Sequence, residues 1–293
     1  MTIPESQLQT WSNQGATTSA QQTHESIRMA LSRYNWPSGV TYEPYLQGSY
    51  RNSTNIRGDS DVDLVVELTS VHYSNLTEAE KSLLGITLAA YDWQGFRNDV
   101  IAALTNYYGS QYVDTSGSKS IKVLPNSGRL KADVVVAVTY RHYVKTKLIA
   151  EGITFWTLPG WQRIYNFPKL HYDNGSSKNS QQQTGGWYKP TVRVFKNARN
   201  RVVETNTFLP KRFPSYFIEC LLYNVPNGKF GGSYQSTLTA ALNWLSNELN
   251  NGNGEGFRCQ NEMYDLFGNS AVQWSIVDAR EYVAKLISLW NSW

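Results

Sequence analysis

Apolar residues recur along the chain with two periods. Val62, Leu64, Val66 and Leu68 alternate with other residues, which predicts a strand over 62–68. A β-branched run over 132–138 opens on Ala132-Asp133-Val134 and predicts another. The stretches 40–46 and 120–123 read as further strands. Ile27, Ala30, Leu31 and Tyr34 recur at helical intervals behind Ser19-Ala20-Gln21-Gln22, which has capping-box spacing. They predict a long N-terminal helix that ends before Trp36-Pro37. Phe96, Val100, Leu104 and Tyr107 predict a helix between the strands. From Pro190 onward the period is helical. Val192, Phe195, Ala198 and Val202 form one face, with Arg193, Lys196 and Arg199 off it. Helices follow over 214–224, along Leu238 to Leu249, and along Ile276 to Trp290. Strands first and helices later predict an α/β (α+β) chain: a mixed-sheet lobe over 1–172 and a helical lobe over 173–293, with a cleft between them. The Gly/Ser/Gln/Asn-rich stretch 173–186 reads as a linker or mobile lid.

The strand over 62–68 carries the first candidate chemistry. Side chains two apart on a strand share a face, so Asp61 and Asp63 point together, away from the apolar row. Two carboxylates that close repel unless a cation sits between them, and oxygen-only ligands on a rigid strand suit Mg²⁺. Just upstream, Gln47-Gly48-Ser49-Tyr50 offers a Gly-Ser turn whose N–H groups and hydroxyl suit phosphate oxygens. Asp133 heads its own strand and supplies a third acid. An Asp-x-Asp pair alone is better read as a solvated strand end or a turn. Gly48-Ser49 before it and Asp133 after it favour a nucleoside triphosphate with two Mg²⁺ ions, Mn²⁺ being the possible substitute, in an in-line displacement.

Composition narrows the partners. A formal net charge of +4 favours triphosphates mildly and is too weak for a nucleic-acid binder, so DNA activation is not expected. Cys220 and Cys259 form no CxxC pair, which excludes a zinc ribbon and fits a reducing, cytoplasmic setting. Cys220 lies in an apolar run and reads as a small buried hydrophobe. His72 has no second ligand-type residue at metal spacing and reads as a surface or loop residue. No apolar run is long enough to span a bilayer, and residues 1–5 show no signal-peptide pattern.

Gly-Ser, then Asp-x-Asp on a strand, then a later lone Asp resembles the polymerase-β-type nucleotidyltransferases. The fuller string Leu46-Gln47-Gly48-Ser49-Tyr50-Arg51-Asn52-Ser53-Thr54, with Ser60-Asp61-Val62-Asp63, resembles the bacterial cGAS/DncV-like nucleotidyltransferases. Tyr165-Asn166-Phe167-Pro168, Trp187-Tyr188-Lys189-Pro190 and Pro214-Ser215-Tyr216-Phe217 resemble their CdnE clade. That resemblance implies a monomeric synthase that joins UTP and ATP into a cyclic dinucleotide, with other pyrimidine-containing or di-adenylate products left open; the product activates a downstream effector in anti-phage defence. It implies that Lys196 and Ser215 contact the donor triphosphate and that Asn166 reads uracil, a Ser there implying purine use. Tyr165 is a further stacking candidate. Two other readings stay open: a transferase that modifies a small acceptor or a protein, and a catalytically silent nucleotide sensor.

Overall fold

The structure is a computed structural model that describes residues 2–58, 61–87, 89, 91–204, 213–270 and 272–293. Asp59 and Ser60 of the motif string lie outside the described residues. In chain order the elements are α1 (Glu5–Ser12), α2 (Thr18–Ser32), β1 (Tyr42–Leu46), α3 (Gly48–Asn52), β2 (Val62–Ser74), α4 (Glu78–Leu83), α5 (Trp93–Tyr108), β3 (Val113–Asp114), β4 (Ile121–Val123), β5 (Ala132–Val144), β6 (Lys147–Trp156), β7 (Arg163–Asn166), α6 (Pro168–Lys178), α7 (Tyr188–Glu204), α8 (Ser215–Tyr223), α9 (Tyr234–Asn250) and α10 (Ile276–Asn291). They form two units. A sheet unit holds Ala16–Tyr50 and Ser60–Lys169, and a helical unit holds Met1–Gly15, Arg51–Asp59 and Leu170–Trp293. The sequence pattern drew one break at 172/173; the structure divides the chain at four points.

In the sheet unit the strands run β1-β2-β5-β4-β3, with β6 on β5 and β7 on β6. β2 and β5 are parallel, and the remaining pairs are antiparallel. The alternation along β2 is sharper in sequence than in space. Val65 and Glu67 are buried along with Leu64, Val66 and Leu68, so both faces of this stretch of β2 are covered. Ile27 and Leu31 of α2 and Phe96, Val100 and Leu104 of α5 join the strand residues in one apolar cluster. Each such side chain, fully buried, contributes about 1.5–3 kcal/mol. Trp93 Nε1 donates to the Val136 carbonyl (2.8 Å) and ties the start of α5 to β5.

The helical unit packs α1, α7, α8, α9 and α10 around Leu8, Phe195, Phe217, Leu221, Leu242 and Leu286. Glu5 fixes α1 to α9: its two carboxylate oxygens accept from Tyr234 N–H and Gln235 N–H, both at 2.8 Å. A carboxylate on the first N–H groups of a helix satisfies orphan donors and meets the positive end of its dipole.

Several local expectations change. α1 precedes the predicted N-terminal helix and shows no clear period of its own. That predicted helix is α2, which starts at Thr18 behind Thr17 without a side-chain cap, so Ser19 sits inside its first turn. His72 lies on β2 rather than in a loop. Residues 173–186 are not a linker: α6 runs to Lys178 and turns follow. This segment packs through hydrogen bonds, which is why its apolar content misled. Asn174 Nδ2 donates to the Gln260 carbonyl (2.8 Å), Lys178 Nζ to the Val225 carbonyl (2.8 Å), and a Cβ on Gly175 would lie 2.2 Å from Gln260 Nε2.

Candidate active site

The parallel register pairs Asp63 on β2 with Asp133 on β5, and Val62 with Ala132. Paired residues of a parallel ladder share a face, so the two carboxylates project side by side. Asp61 precedes β2 by one residue and is exposed. On the other side of Asp133, the antiparallel register brings Lys122 of β4 alongside, and Ser120 Oγ lies 3.4 Å from Asp133 Oδ1.

A cation already answers this charge. Lys131 Nζ lies 2.7 Å from Asp61 Oδ2 and 3.9 Å from Asp133 Oδ2. The Asp61 hydrogen bond, with the Asp133 and Asp63 charges, holds the Lys131 ammonium above its ordinary range. The acids are spread over this ammonium, and among the described residues no three His, Cys, Asp or Glu side chains converge on one point. Lys131 was missed in the sequence, although its spacing of two from Asp133 was a legible signal of a shared face.

The Gly-Ser turn is built against Asp63. Gln47 N–H donates to the Asp63 carbonyl (2.9 Å). Gly48 has φ +66°, and a Cβ there would stand 2.4 Å from Asp63 Oδ2. Glycine is therefore required twice, once for the backbone and once for the carboxylate. α3 begins at Gly48, so Ser49 sits in a single helical turn. Gln47 Oε1 is buried with no hydrogen-bond partner among the described residues, an acceptor next to the turn.

Asn166 ends β7, opposite Ile153 on β6. Its Oδ1 accepts from Phe167 N–H (2.9 Å), so the Nδ2 end is the donor it can present. Gly152 admits this strand end, since a Cβ there would lie 2.4 Å from the Asn166 carbonyl. The Tyr165 ring is 4.6 Å from that of Tyr140, and the Arg163 guanidinium lies 5.0 Å from its centre, so Tyr165 belongs to a packed aromatic cluster.

Lys196 and Ser215 belong to the helical unit. Lys196 corrects the sequence picture of a residue off the apolar face: it is 0% exposed and its Nζ donates to the Thr54 carbonyl (2.9 Å). Arg193 is buried too, donating to the carbonyls of Ser12 and Ser53. Both cations hold a backbone carbonyl within Arg51–Asp59, at Thr54 and Ser53, a long-range use that helical periodicity cannot display. Glu219 clamps the same segment. It accepts from Asn52 Nδ2 (2.9 Å), Thr54 Oγ1 (2.6 Å) and His171 Nε2 (2.9 Å). Burial alone would push Glu219 up, but the His171 and Thr54 hydrogen bonds and the Lys196 charge outweigh it and hold the carboxyl below its ordinary range. Ser215 is the first residue of α8, behind Pro214, and is half-buried.

A second buried carboxylate also escaped the sequence reading. Glu67, 2% exposed, accepts from Tyr45 OH (3.0 Å) and Thr139 Oγ1 (2.7 Å) and pairs with Lys169 (3.2 Å). Glu67 shares the β2 face of Asp63 by its even spacing, with the buried Val65 between them.

A mixed sheet with acids on two parallel neighbours, a Gly-Ser turn against one of them and a helical C-terminal unit define the polymerase-β-type nucleotidyltransferase class. Residues 173–291 match the family model of the cGAS/DncV-like nucleotidyltransferase C-terminal helical domain. The chain is 50% identical to the cyclic UMP-AMP synthase of Rhodothermus marinus, over 100% of this chain and 99% of that one. It is 38% identical to the cyclic nucleotide synthase CdnE01 of Staphylococcus haemolyticus, over 100% of each. The solved structure of the Rhodothermus marinus CdnE c-UMP-AMP synthase with Apcpp and Upnpp superposes with a TM-score of 0.91 at 49% identity, covering 99% of this chain and 97% of that one. The chain belongs to the cGAS/DncV-like nucleotidyltransferases, in their CdnE clade.

Proposed function

We propose that this protein is a divalent-metal-dependent synthase that joins UTP and ATP into cyclic UMP–AMP and releases pyrophosphate. One observation carries the reading: the register that sets Asp63 beside Asp133, on a chain half identical along its whole length to a cyclic UMP-AMP synthase. The donor set fits a hard divalent ion, because it is carboxylate oxygen only, on rigid strands, and already draws an ammonium. Asp61, Asp63 and Asp133 would hold two Mg²⁺ ions, which supply charge stabilisation at the attacking 3′-hydroxyl and the leaving pyrophosphate.

The chain's own residues do the positioning. Gly48 lets the turn approach Asp63, and the Ser49 hydroxyl and nearby N–H groups meet phosphate oxygens. Ser215, opening α8, is a second phosphate contact. Lys196 acts at one remove: its ammonium holds Thr54, six residues after Gly48. Asn166 Nδ2 donates to a carbonyl of uracil, and its Oδ1, committed to Phe167 N–H, keeps the amide from turning over. Tyr165 supplies ring surface for a base.

The test is incubation with Mg²⁺ and four labelled ribonucleoside triphosphates, then phosphatase and chromatography. A resistant product that needs UTP and ATP is expected. A resistant product from ATP alone would overturn the uracil assignment. Label transfer to a protein or small acceptor without a resistant product would overturn cyclisation.

A further inference from the structure

β5 and β6 outrun the sheet. β2 leaves β5 at the pair Ser74–Arg141, and β7 leaves β6 at the pair Ile153–Asn166. Asn75 ties Tyr143 down: its Nδ2 donates to the Tyr143 carbonyl (2.8 Å) and its Oδ1 accepts from Tyr143 N–H (2.7 Å). Beyond that tie the two strands pair only with each other and turn at Lys145-Thr146, with Lys145 at φ +54°. Every residue over 144–149 is exposed. Asp133 lies about 35 Å of strand away, at the other end of β5.

The tip is apolar where water favours polar groups. Val144, Ile149 and Leu148 are 54%, 51% and 45% exposed. The ladder pairs Val144 with Lys147 and Tyr143 with Leu148, and successive pairs project from opposite faces. Apolar side chains therefore stand on both faces of a projecting ribbon. A rigid protein surface covers one face of such a ribbon, whereas a fluid apolar medium closes around both.

Charge selects the medium. Residues 142–150 hold no Asp or Glu, and no ion pair to Lys145 or Lys147 occurs among the described residues. At the base of the ribbon, Arg141 and Glu151 answer each other (3.2 Å). On α4, which follows Asn75, Glu78 is paired with Lys81 (2.6 Å) and Glu80 accepts from Thr77 N–H (2.8 Å). Lysines alone would serve to protect bare strand edges; the open Val, Leu and Ile beside them do not fit that role.

We propose that the β5–β6 tip is a peripheral docking site for an anionic lipid surface. The apolar side chains enter the headgroup boundary and the two ammonium groups meet lipid anions.

The full-length protein is floated with vesicles of equal phosphatidylcholine and phosphatidylserine, and with phosphatidylcholine alone, at about 0.1 M salt. Half-binding is expected at or below about 1 mM accessible lipid for the acidic vesicles, and at least about tenfold weaker binding to the neutral ones. Lys145→Gln with Lys147→Gln should weaken binding about tenfold or more. Val144→Ser, Leu148→Ser and Ile149→Ser together should do the same with both lysines intact. That second variant separates the tip from the chain's net charge of +4, which attracts acidic vesicles without it. Both variants should keep Tm within about 2 °C, because the changed side chains are exposed. No flotation with acidic vesicles at about 5 mM lipid, equal flotation with neutral ones, or unchanged binding in either variant would overturn the proposal. Capture by immobilised polyglutamate in place of acidic vesicles would overturn it too, and would assign the tip to an acidic protein.

Discussion

Gly48→Ala separates backbone strain from damage to the acid it touches. The residue has φ +66°, where a Cβ costs about 1–2 kcal/mol. The added Cβ would also stand 2.4 Å from Asp63 Oδ2, whereas ordinary contact begins at 3.4 Å, so carboxylate or turn must retreat by about 1 Å. A misplacement of about 1 Å in a reacting constellation costs on the order of a hundredfold in rate. Gly39→Ala is the control: φ is +81° and nothing lies within 4 Å of its Cβ, so it carries the strain without the collision. Both variants should lose a few degrees in Tm, about 2–4 °C for each kcal/mol in a chain of this size. Pyrophosphate release from UTP and ATP should fall about a hundredfold in Gly48→Ala alone. Turnover of Gly48→Ala within about threefold of wild type would refute the coupling of turn to carboxylate, as would an equal loss in Gly39→Ala.

Asp63→Asn should lower turnover on the order of a thousandfold with little change in Tm, since it removes a metal-ligand oxygen; near-normal turnover would sink the metal assignment. Asn166→Ser should reduce preference for UTP over ATP by about ten- to a hundredfold in a competition assay; unchanged preference would detach Asn166 from base reading. Lys131→Met should tighten Mn²⁺ binding up to about fivefold, measured by electron paramagnetic resonance, because a partly exposed competing ammonium is gone; weaker binding would show that Lys131 supports the ion instead. Glu219→Gln should cost about 3–5 kcal/mol near neutral pH in urea melts, because the change strips the negative charge from a buried network. The folded carboxyl is depressed, so its stabilisation is full above the ordinary carboxylate range and is lost as pH falls through the folded value. The gap between the two proteins should therefore narrow in acid, and a gap that widens would contradict the depressed carboxyl.

Local pattern carried a good deal of this molecule. β2 and β5 follow from β-branched alternation, α5, α8, α9 and α10 from helical spacing, and the acids stand where that alternation puts them. What escaped was set by partners far along the chain. Lys196 and Arg193 look like solvated positions because their acceptors, the carbonyls of Thr54, Ser12 and Ser53, carry no side-chain signal. The 173–186 stretch looks unstructured because its anchors are an amide and an ammonium on distant backbone carbonyls. Glu67 looks like the polar half of an alternation until Tyr45, Thr139 and Lys169 close around it.

The bond between Glu5 and the start of α9 has a consequence for biosynthesis. The ribosome makes Ile3, Glu5 and Leu8 well before the N–H groups that Glu5 caps, at Tyr234 and Gln235, which arrive more than two hundred residues later. At about 5–20 residues per second, the leading segment waits at least ten seconds with its apolar side chains uncovered. The sheet unit ends at Lys169 and has all its strands by then. Translation therefore favours a nascent chain whose sheet closes early and whose first helix docks last, so a tag that sequesters residues 1–15 should lower the yield of folded protein more than one placed after Trp293.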